Sequence, residues 1–509
     1  MKKFFLISSA LLSLTSCSLD DNLSENYPLI DSVSPSGQLA NAQVSTYDAS
    51  VTDIMELSNI WLNTWAGNEY YFAAPMNTEY QLNITTGFRN GIWNDNYKAM
   101  RNLANIIKHP QAANYSHHAA VAKILMANSM QYMVDFYGDV PYSEAFSANE
   151  GIKTPKYDKG EDVYKALVEQ INEALVALDA PAAASLTENG GDVILHGDTD
   201  KWIRLGNTIK LRLLLRQSKV TDATVKSFVE AQLATLVGAE FVNSDITINP
   251  GYSAANASQQ NPLHREYGWL TFDDTANNTY GYRYIHLADH FAKLLNGEDA
   301  NTTGVADARR GSMYRAVGGT LKGIVQGGGK VTGGTEAGFS RLGWRYYNYS
   351  SVSSSLDGYI MVKSESDLLQ AEAAVLYPTI FSTIDAEAKY KDAVQATYDF
   401  FKVTADPSVY LANLDTKPYG WNGSKGKIAA IQYQRMVALN LLKPQETYIN
   451  YLKTGYPETP LALTATQASK PWRLLYPSRE YQTNTANVPN ITQADIFVKN
   501  QYTPFWNRN

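Results

Sequence analysis

The sequence predicts an all-α protein in which helical hairpins carry long irregular loop insertions. Its clearest helical pattern runs from Val163 to Leu178, where mainly apolar residues recur at steps of three and four. Stretches rich in glycine, asparagine and serine separate and follow the periodic runs, as expected of long loops. A proline stands just past three of the runs, where a residue that cannot continue a helix is expected: Pro110, Pro378 and Pro444.

The start of the chain predicts an export signal that ends in a lipid attachment site. Two lysines precede an apolar run from Phe4 to Leu12 that is too short to span a bilayer. The residues Leu-Thr-Ser before Cys17 complete a bacterial lipobox, in which the cysteine is acylated. Cys17 is the only cysteine in the sequence, which excludes an internal disulfide. We therefore predict a signal peptide at 1–16 and an anchor without a spanning helix.

Residues 17–36 are predicted to form an acylated flexible tether, because Ser, Asp, Asn and Pro are frequent in them. Asp20 and Asp21 follow the cysteine closely. Acidic residues there resemble the signal that sends some outer-membrane lipoproteins to the cell surface. The simpler interpretation is a solvated tether, and the two interpretations are compatible. We expect a lipid-anchored outer-membrane protein that faces outward.

The composition is that of an ordinary globular protein with one unusual feature, its aromatic content. The chain is 44% hydrophobic and 18% charged. Its net charge of -7 argues against nucleic acid and anionic lipid headgroups as partners, because both need a basic face. The 34 tyrosines and 9 tryptophans suit a carbohydrate binder, since aromatic rings stack on sugars, but large α-rich proteins also use rings for packing. Composition leaves these two explanations open.

The periodic runs fall in two blocks, at about 38–236 and 359–452. Helical patterns besides the one at 163–178 extend over 38–65, 93–108, 117–137, 202–219, 359–376, 384–401 and 427–442. Paired helices suggest hairpins of the tetratricopeptide type, although no strict repeat of about 34 residues is present. Glycine pairs in the later loop mark turns or short hairpins. We predict one α-rich domain at 37–509, with a loop-rich ligand region at about 243–358.

A helix stop and a fixed corner are predicted at 136–146 (Phe-Tyr-Gly-Asp-Val-Pro-Tyr-Ser-Glu-Ala-Phe). Gly138 can adopt a left-handed turn, Asp139 can accept hydrogen bonds from nearby backbone, and Pro141 forces its neighbour to be extended. This segment closely resembles the signature of the SusD/RagB family of surface glycan-binding lipoproteins, and the chain is most similar to its shorter SusD-like subgroup. Further segments resemble family motifs in the same order: 154–158, 201–212, 307–309, 366–373, 455–457 and 476–481.

The resemblance implies a right-handed stack of helical hairpins that supports an irregular binding face. It implies capture of oligosaccharide, or in some relatives peptide, and delivery to a partner SusC-like TonB-dependent outer-membrane transporter. The motifs themselves are interpreted as corners, caps and buried helix faces rather than as ligand contacts. The alternatives are an exported hydrolase acting on the same kind of substrate and a purely structural partner of the transporter.

Catalytic and metal-binding motifs are incomplete in this sequence. His286 and His290 lie one turn apart on a predicted helix, but Leu287 stands where a zinc protease carries its general base. Asp273 and Asp274 fit a solvated turn better than a calcium site. We therefore predict a protein that is not an enzyme, with no catalytic residue, no bound metal and no cofactor.

The binding face is expected in two regions that the resemblance implies, one soon after the first helix and one in the central insertion. The candidates in the first region are Trp65, Asn68, Tyr70 and Tyr71. The candidates in the second region are Trp269, Tyr280, Tyr282, Arg341, Trp344, Arg345, Tyr346 and Tyr347. Their rings can stack on a sugar, and the Asn and Arg side chains can hydrogen-bond its hydroxyls. Trp344 is the first choice, because arginines flank it; the alternative for each ring is packing of a loop onto the helices.

Overall fold

The computed structural model describes residues 33–268, 279–343 and 354–508. Their helices are α1 (Pro35–Ser50), α2 (Asp53–Trp61), α3 (Asn77–Gln81), α4 (Gly91–Ile107), α5 (Ser116–Tyr137), α6 (Gly160–Asp179), α7 (Thr199–Arg216), α8 (Ala223–Ala234), α9 (Pro262–Tyr267), α10 (Tyr280–Tyr284), α11 (Asp289–Asn296), α12 (Arg310–Met313), α13 (Lys363–Leu376), α14 (Ala386–Phe400), α15 (Pro407–Leu414), α16 (Gly426–Leu439), α17 (Pro444–Thr454) and α18 (Ser478–Thr483). The strands are β1 (Trp65–Gly67), β2 (Ile246–Ile248), β3 (Ile285–Leu287) and β4 (Gly358–Met361). They form two antiparallel pairs, β1 with β3 and β2 with β4. The prediction of an all-α fold with short hairpin-like elements is confirmed.

Local sequence signals set many of the helix ends. Helices α8, α14 and α15 each follow an aspartate whose side chain accepts a hydrogen bond from a backbone N–H of the first turn: Asp222, Asp385 and Asp406. A proline occupies the first turn of α1, α15 and α17, where its missing N–H costs no helical bond. Helix α17 ends at Gly455, whose positive φ of 80° suits a residue without a side chain.

Helices that follow one another along the chain pack against each other, as in helical hairpins. Helix α5 contacts α4, α6 and α7, and α1 lies against α4. In the second block α13 packs on α14 and α16, and α16 packs on α17. Contacts of α7 with α13 and of α2 with α17 join the two blocks, so that one hydrophobic core extends from Leu39 to Trp506.

Two of the predicted helices are shorter than their periodic patterns. Residues 38–65 form α1, α2 and the start of β1, and the segment predicted as a helix at 359–376 begins with β4. Both strands pair with segments far along the chain, β1 with β3 and β4 with β2. Such pairing depends on tertiary contacts, which override a local pattern. Helix α1 also begins at Pro35, inside the segment predicted as tether.

Five charged residues, one of them Arg212 from the motif at 201–212, form a buried ionic network where the two blocks meet. Arg212 of α7 bonds Glu365 of α13 at 2.7 Å and contacts Glu446 of α17 at 3.3 Å. One turn further along α7, Arg216 contacts Asp135 of α5 at 3.2 Å and Glu446 at 2.7 Å. All five side chains are at most 2% exposed. These residues tie helices together and have no access to a ligand.

A second buried cluster surrounds Glu372 of α13. Its carboxylate bonds Arg435 at 2.9 Å and Lys453 at 2.7 Å, and all three side chains are buried. Burial alone would raise the pKa of this carboxyl, but the two cations outweigh burial and lower the pKa of Glu372 to about 2. The folded protein therefore holds Glu372 charged at pH values where an exposed glutamate is protonated.

We expect this cluster to make the free energy of unfolding depend on pH in the acidic range. An unperturbed glutamate titrates near 4.5, so Glu372 stabilises the fold above that pH and loses this contribution as the pH falls towards 2. The loss should be on the order of 3 kcal/mol. Urea unfolding of wild type and of Glu372→Gln, at about pH 6 and about pH 3, measures it. The difference between the two proteins should shrink at the lower pH, and an unchanged difference would contradict the prediction.

Candidate functional site

A short strand pair joins the two candidate binding regions. Within the β1–β3 pair, Gly67 lies opposite Ile285. The backbone N–H of Asn68 then donates to the carbonyl of Tyr284 at 2.8 Å. A glycine is required in β1, because a Cβ at Gly67 would lie 2.6 Å from the Cβ of Pro75. The segment after β1 and helix α10 are therefore neighbours, although more than two hundred residues separate them in the sequence.

Asn68 fixes the turn that follows β1. Its Oδ1 accepts hydrogen bonds from the backbone N–H groups of Tyr70 at 3.0 Å and Tyr71 at 3.2 Å. Its Nδ2 donates to the carbonyl of Arg283 in α10 at 2.8 Å. Asn68 is fully buried, so its side chain shapes the turn and holds it against α10 instead of facing solvent.

Replacing Asn68 by alanine should lower the free energy of unfolding by about 1–3 kcal/mol, because three partly buried backbone groups lose a side-chain hydrogen bond. It should also weaken ligand binding, since the turn that positions the backbone of Tyr71 would lose its side-chain hydrogen bonds. Thermal unfolding and calorimetric titration measure the two effects. Asn83→Ala is the matched control, because Asn83 is exposed; its stability should change by less than about 0.5 kcal/mol. Equal behaviour of the two variants would contradict the role of Asn68.

The turn and α10 form one wall of a cleft of about 750 Å³. The opposite wall is the segment 315–341, which is folded back on itself by a hydrogen bond of 2.9 Å from the Arg315 N–H to the Arg341 carbonyl. Two tyrosines, a phenylalanine, three arginines and one carboxylate contribute most of the chemistry. The lining residues are Tyr71, Tyr282, Arg283, Arg315, Ala316, Val317, Thr335, Glu336, Ala337, Phe339 and Arg341.

Tyr71 is the exposed ring of the cleft, with 53% of its surface accessible. The guanidinium of Arg283 lies 5.2 Å from its ring centroid, and Arg283 donates a hydrogen bond of 2.7 Å to its hydroxyl. The ring of Phe72 packs against it edge-on at 4.8 Å. Tyr71 is thus held by neighbours while it remains open to solvent, which is the arrangement a stacking platform needs.

Arg341 occupies the deeper part of the cleft. Its guanidinium lies 4.9 Å from the ring centroid of the buried Tyr282, donates to the Tyr282 carbonyl at 2.9 Å, and forms an ion pair with Glu336. Burial lowers the pKa of Arg341, and the nearby charge of Arg315 lowers it further, against the effect of Tyr282. Burial raises the pKa of the Tyr282 hydroxyl, so that it stays a neutral donor. The cleft therefore offers hydrogen-bond donors and net positive charge.

Among its described residues, the lining carries more groups that suit binding than groups that suit hydrolysis. Glu336 is the one carboxylate among the described lining residues, and it is paired with Arg341. Hydrolysis of a glycosidic bond by the common mechanisms uses two carboxyl groups on either side of the bond. Guanidinium groups and tyrosine hydroxyls beside an exposed ring suit the hydroxyls and the apolar face of a sugar.

The structure distributes the candidate residues of the first region between core and surface. Trp65 is fully buried and packs edge-on against Tyr267 at 5.2 Å, so neither it nor the buried Asn68 is available to a ligand. Tyr70 is half-buried against Phe339 at 5.2 Å. Tyr71 reaches the cleft. These residues differ in how exposed their side chains are, and the composition of the segment did not indicate this difference.

In the second region, Tyr282 and Arg341 line the cleft, with Tyr282 almost entirely buried. Several candidates lie outside the described residues: Trp269, Trp344, Arg345, Tyr346, Tyr347 and the side chain of Tyr280. The same holds for Cys17 and for Asp273 and Asp274.

The sequence analysis missed eight of the lining residues, and four of these eight are charged or aromatic: Arg283, Arg315, Glu336 and Phe339. Arg283 lies between two tyrosines of α10, and that setting could have singled it out.

The two histidines that resembled a zinc motif do not share a helix. His286 belongs to β3, whereas His290 lies in α11. Burial lowers the pKa of His286 to about 3 and of His290 to about 4. Across the part of the chain that the structure describes, no three His, Cys, Asp or Glu side chains gather where they could hold a metal ion.

None of the described helices is long and apolar enough to cross a membrane.

Comparison with known proteins identifies relatives of the whole described fold. The sequence profile of a SusD-like family, described as "Starch-binding associating with outer membrane", matches residues 28–477. No curated protein matches the sequence. A crystal structure of a SusD homolog from Bacteroides uniformis has a TM-score of 0.69 and 21% identity, and the match covers 93% of this chain and 99% of that one.

The descriptions of two further similar structures name chitin as what the protein binds. A chitin-binding SusD homolog from Flavobacterium johnsoniae has a TM-score of 0.65 and 20% identity, with 88% of this chain and 94% of that chain covered. A structure described as a chitin-binding protein has a TM-score of 0.65 and 25% identity, with 89% and 95% covered.

Proposed function

The chain belongs to the SusD-like family, whose description is starch binding in association with the outer membrane, and from this premise we propose that it captures oligosaccharides at the cell surface without cleaving them. The binding site is the cleft between the turn at 68–72, helix α10 and the segment 315–341. The observation that carries the proposal is Tyr71, an exposed ring held by Arg283 at the entrance of a basic, aromatic cleft. The candidates at 344–347 begin three residues after Arg341 in the sequence and stay candidates for the same face.

A glycan and peptide array followed by calorimetric titration tests this function. The array should include malto-oligosaccharides and chitin oligosaccharides, because the family description names starch and two similar structures are described as chitin-binding. We expect saturable binding of an oligosaccharide and no release of shorter products on long incubation. Sustained turnover would favour an exported hydrolase, and binding of peptides alone would favour an oligopeptide lid.

We also propose that Cys17 is acylated, that the residues from Cys17 up to helix α1 form a tether, and that the mature protein faces outward from the outer membrane. The sequence before Cys17 and the family description support this location. Changing Cys17 to alanine should release the protein from the membrane fraction. Protease added to intact cells should digest the wild-type protein, and resistance alongside digestion of a known surface protein would contradict an outward orientation.

The bound oligosaccharide is then delivered to a SusC-like TonB-dependent transporter, on which this protein acts as a lid. Family membership supports this partnership. The single core that spans both helical blocks further supports one rigid domain at 37–509. Purification from native membranes in mild detergent should yield both proteins together, through an interface above about 2,000 Å². Recovery of this protein only as a monomer would count against the partnership.

A further inference from the structure

The cleft is basic although the protein as a whole is acidic. Its lining holds three arginines and one carboxylate, so the described lining residues carry two positive charges in excess: Arg283, Arg315 and Arg341 against Glu336. The net charge of the whole chain is -7. A concave site lined mainly by one sign of charge raises the local concentration of ligands of the opposite sign. The charge of the cleft therefore indicates an anionic ligand.

Arg283 is held in the cleft by an aromatic neighbour and not by an ion pair. Its Nη1 donates to the Tyr71 hydroxyl at 2.7 Å, and its guanidinium lies 5.2 Å from the centroid of the Tyr71 ring. No carboxylate of the described residues lies within 4 Å of it. Its Nη2 makes no hydrogen bond to a described residue, and the side chain is partly exposed and lines the cleft. A positive charge thus lies directly beside the exposed ring.

The other two arginines bring their charges together near the Tyr282 hydroxyl. Burial raises the pKa of this hydroxyl, and the charges of Arg341 and Arg315 both act against burial. Burial lowers the pKa of Arg341, and the charge of Arg315 lowers it further, because two like charges repel each other. The N–H of Arg315 donates to the Arg341 carbonyl at 2.9 Å, which keeps the two residues side by side. A bound anion would relieve this repulsion.

We propose that the oligosaccharide captured in the cleft is acidic and contains uronic acid units. The three arginines bind the carboxylate of one such unit while its sugar ring stacks on Tyr71. This inference rests on the proposed function, because it names the class of glycan that the same cleft captures. Charge-assisted hydrogen bonds from a guanidinium to a carboxylate are roughly twice as strong as those between neutral groups, so the carboxylate would dominate the choice of ligand.

The arrangement of the cleft suits a uronic acid better than a heavily sulfated glycan. Two positive charges in excess match one or two carboxylates, whereas a heavily sulfated chain brings several charges on each pair of sugars. The carboxylate of a uronic acid is attached at the edge of the pyranose ring. A sugar that stacks on Tyr71 can therefore direct its carboxylate towards Arg283, which lies beside that ring.

Calorimetric titration of the full mature chain with tetrasaccharides tests the class of ligand. The acidic probes are tetragalacturonate, tetramannuronate and a hyaluronan tetrasaccharide, each compared with its neutral methyl ester. Maltotetraose and chitotetraose are the neutral probes, and a carrageenan tetrasaccharide carries sulfate without carboxylate. We expect at least one uronic acid probe to bind, and its methyl ester to bind about tenfold more weakly or worse. Added salt should weaken binding of the acid and leave that of the ester unchanged.

The variant Arg315→Gln tests whether the charge of the cleft recognises the carboxylate. Arg315 is exposed, so the variant should fold like wild type. Its affinity for the acidic tetrasaccharide should fall about fivefold or more. The loss for the methyl ester should be smaller, because glutamine keeps a hydrogen-bond donor and only the charge is removed. Arg101→Gln is the matched control, since Arg101 is exposed on α4 and does not line the cleft; it should bind both ligands like wild type.

Failure of this inference is distinguishable from failure of the proposed function. Binding of maltotetraose or chitotetraose, with no binding of any uronic acid probe, would overturn the acidic class and leave glycan capture intact. Equal affinity for an acid and its methyl ester, tighter binding of the carrageenan probe, or wild-type affinity in Arg315→Gln would each overturn it as well. Absence of binding to every glycan would contradict the proposed function itself, and the inference would fall with it.

Discussion

Replacing Arg216 by methionine should lower the free energy of unfolding by about 3–5 kcal/mol. Its guanidinium is buried between Asp135 at 3.2 Å and Glu446 at 2.7 Å, and it lies 5.8 Å from the ring centroid of Trp506. Methionine fills similar space but leaves the buried Asp135 without its cation and leaves Glu446 with Arg212 alone. Burial already raises the pKa of Asp135 to about 6 despite Arg216, and without the arginine this carboxyl should take up a proton at neutral pH.

Urea unfolding at neutral pH measures this loss of stability. The urea concentration at which half of the protein is unfolded should fall, while the dependence of the free energy of unfolding on urea concentration stays the same. Lys226→Met is the matched control, because Lys226 forms an exposed pair with Glu230 at 3.9 Å on α8. The control should change stability by no more than about 1 kcal/mol. A loss below about 1 kcal/mol in Arg216→Met would mean that the network does not join the two helical blocks in the way that the contacts indicate.

Replacing Tyr71 by alanine should weaken oligosaccharide binding by about 2 kcal/mol or more, which is roughly thirtyfold. The exposed ring provides the stacking surface, and Arg283 holds it in place by the hydrogen bond of 2.7 Å to its hydroxyl. Tyr71→Phe keeps the ring and loses only this hydrogen bond, so its affinity should fall much less. Titration with an oligosaccharide found on the array measures both variants.

The fold should be unaffected in both tyrosine variants, because the side chain is largely outside the core. Thermal unfolding checks this. Leu463→Ala removes an exposed apolar side chain that does not line the cleft, and its affinity should equal that of wild type. Wild-type affinity in Tyr71→Ala would remove this ring from the binding face.

Helical periodicity located most of the scaffold, because burial of one face of a helix leaves a local pattern. The stripe from Val163 to Leu178, for example, lies within α6. The pairing of β1 with β3 left no such pattern, since three-residue strands are stabilised by partners distant in sequence. The sequence therefore extended the first helical pattern through Trp65, where the chain actually enters a strand.

The charged residues of α7 show a second limit of local patterns. Arg212 and Arg216 lie one turn apart and would be expected on a solvated face, because an unpaired buried charge is costly. Their burial depends on acids from α5, α13 and α17, and a single sequence does not show that these helices meet. Resemblance to family motifs, and not periodicity, indicated that this helix face is buried.

For the candidate site, the two regions were easier to predict than the individual residues. Aromatic residues in a loop are equally compatible with ligand binding at the surface and with packing in the core. Only the burial of each ring distinguishes the two roles. Tyr71 and Trp65 lie six residues apart, yet one ring is open to the cleft and the other is in the core. Glu336 and Arg315 had no sequence signal, because their place in the cleft follows from the folding back of the segment 315–341.

Hydrogen–deuterium exchange of the full mature chain, with and without a saturating oligosaccharide, tests the central claim most directly. The claim is that the turn after β1, helix α10 and the segment 315–341 form one binding site. We predict slower exchange with ligand in peptides covering 68–72, 280–284 and 315–341, and unchanged exchange in peptides from α5 and α14. Protection that avoids all three of these segments while binding is saturated would contradict the claim.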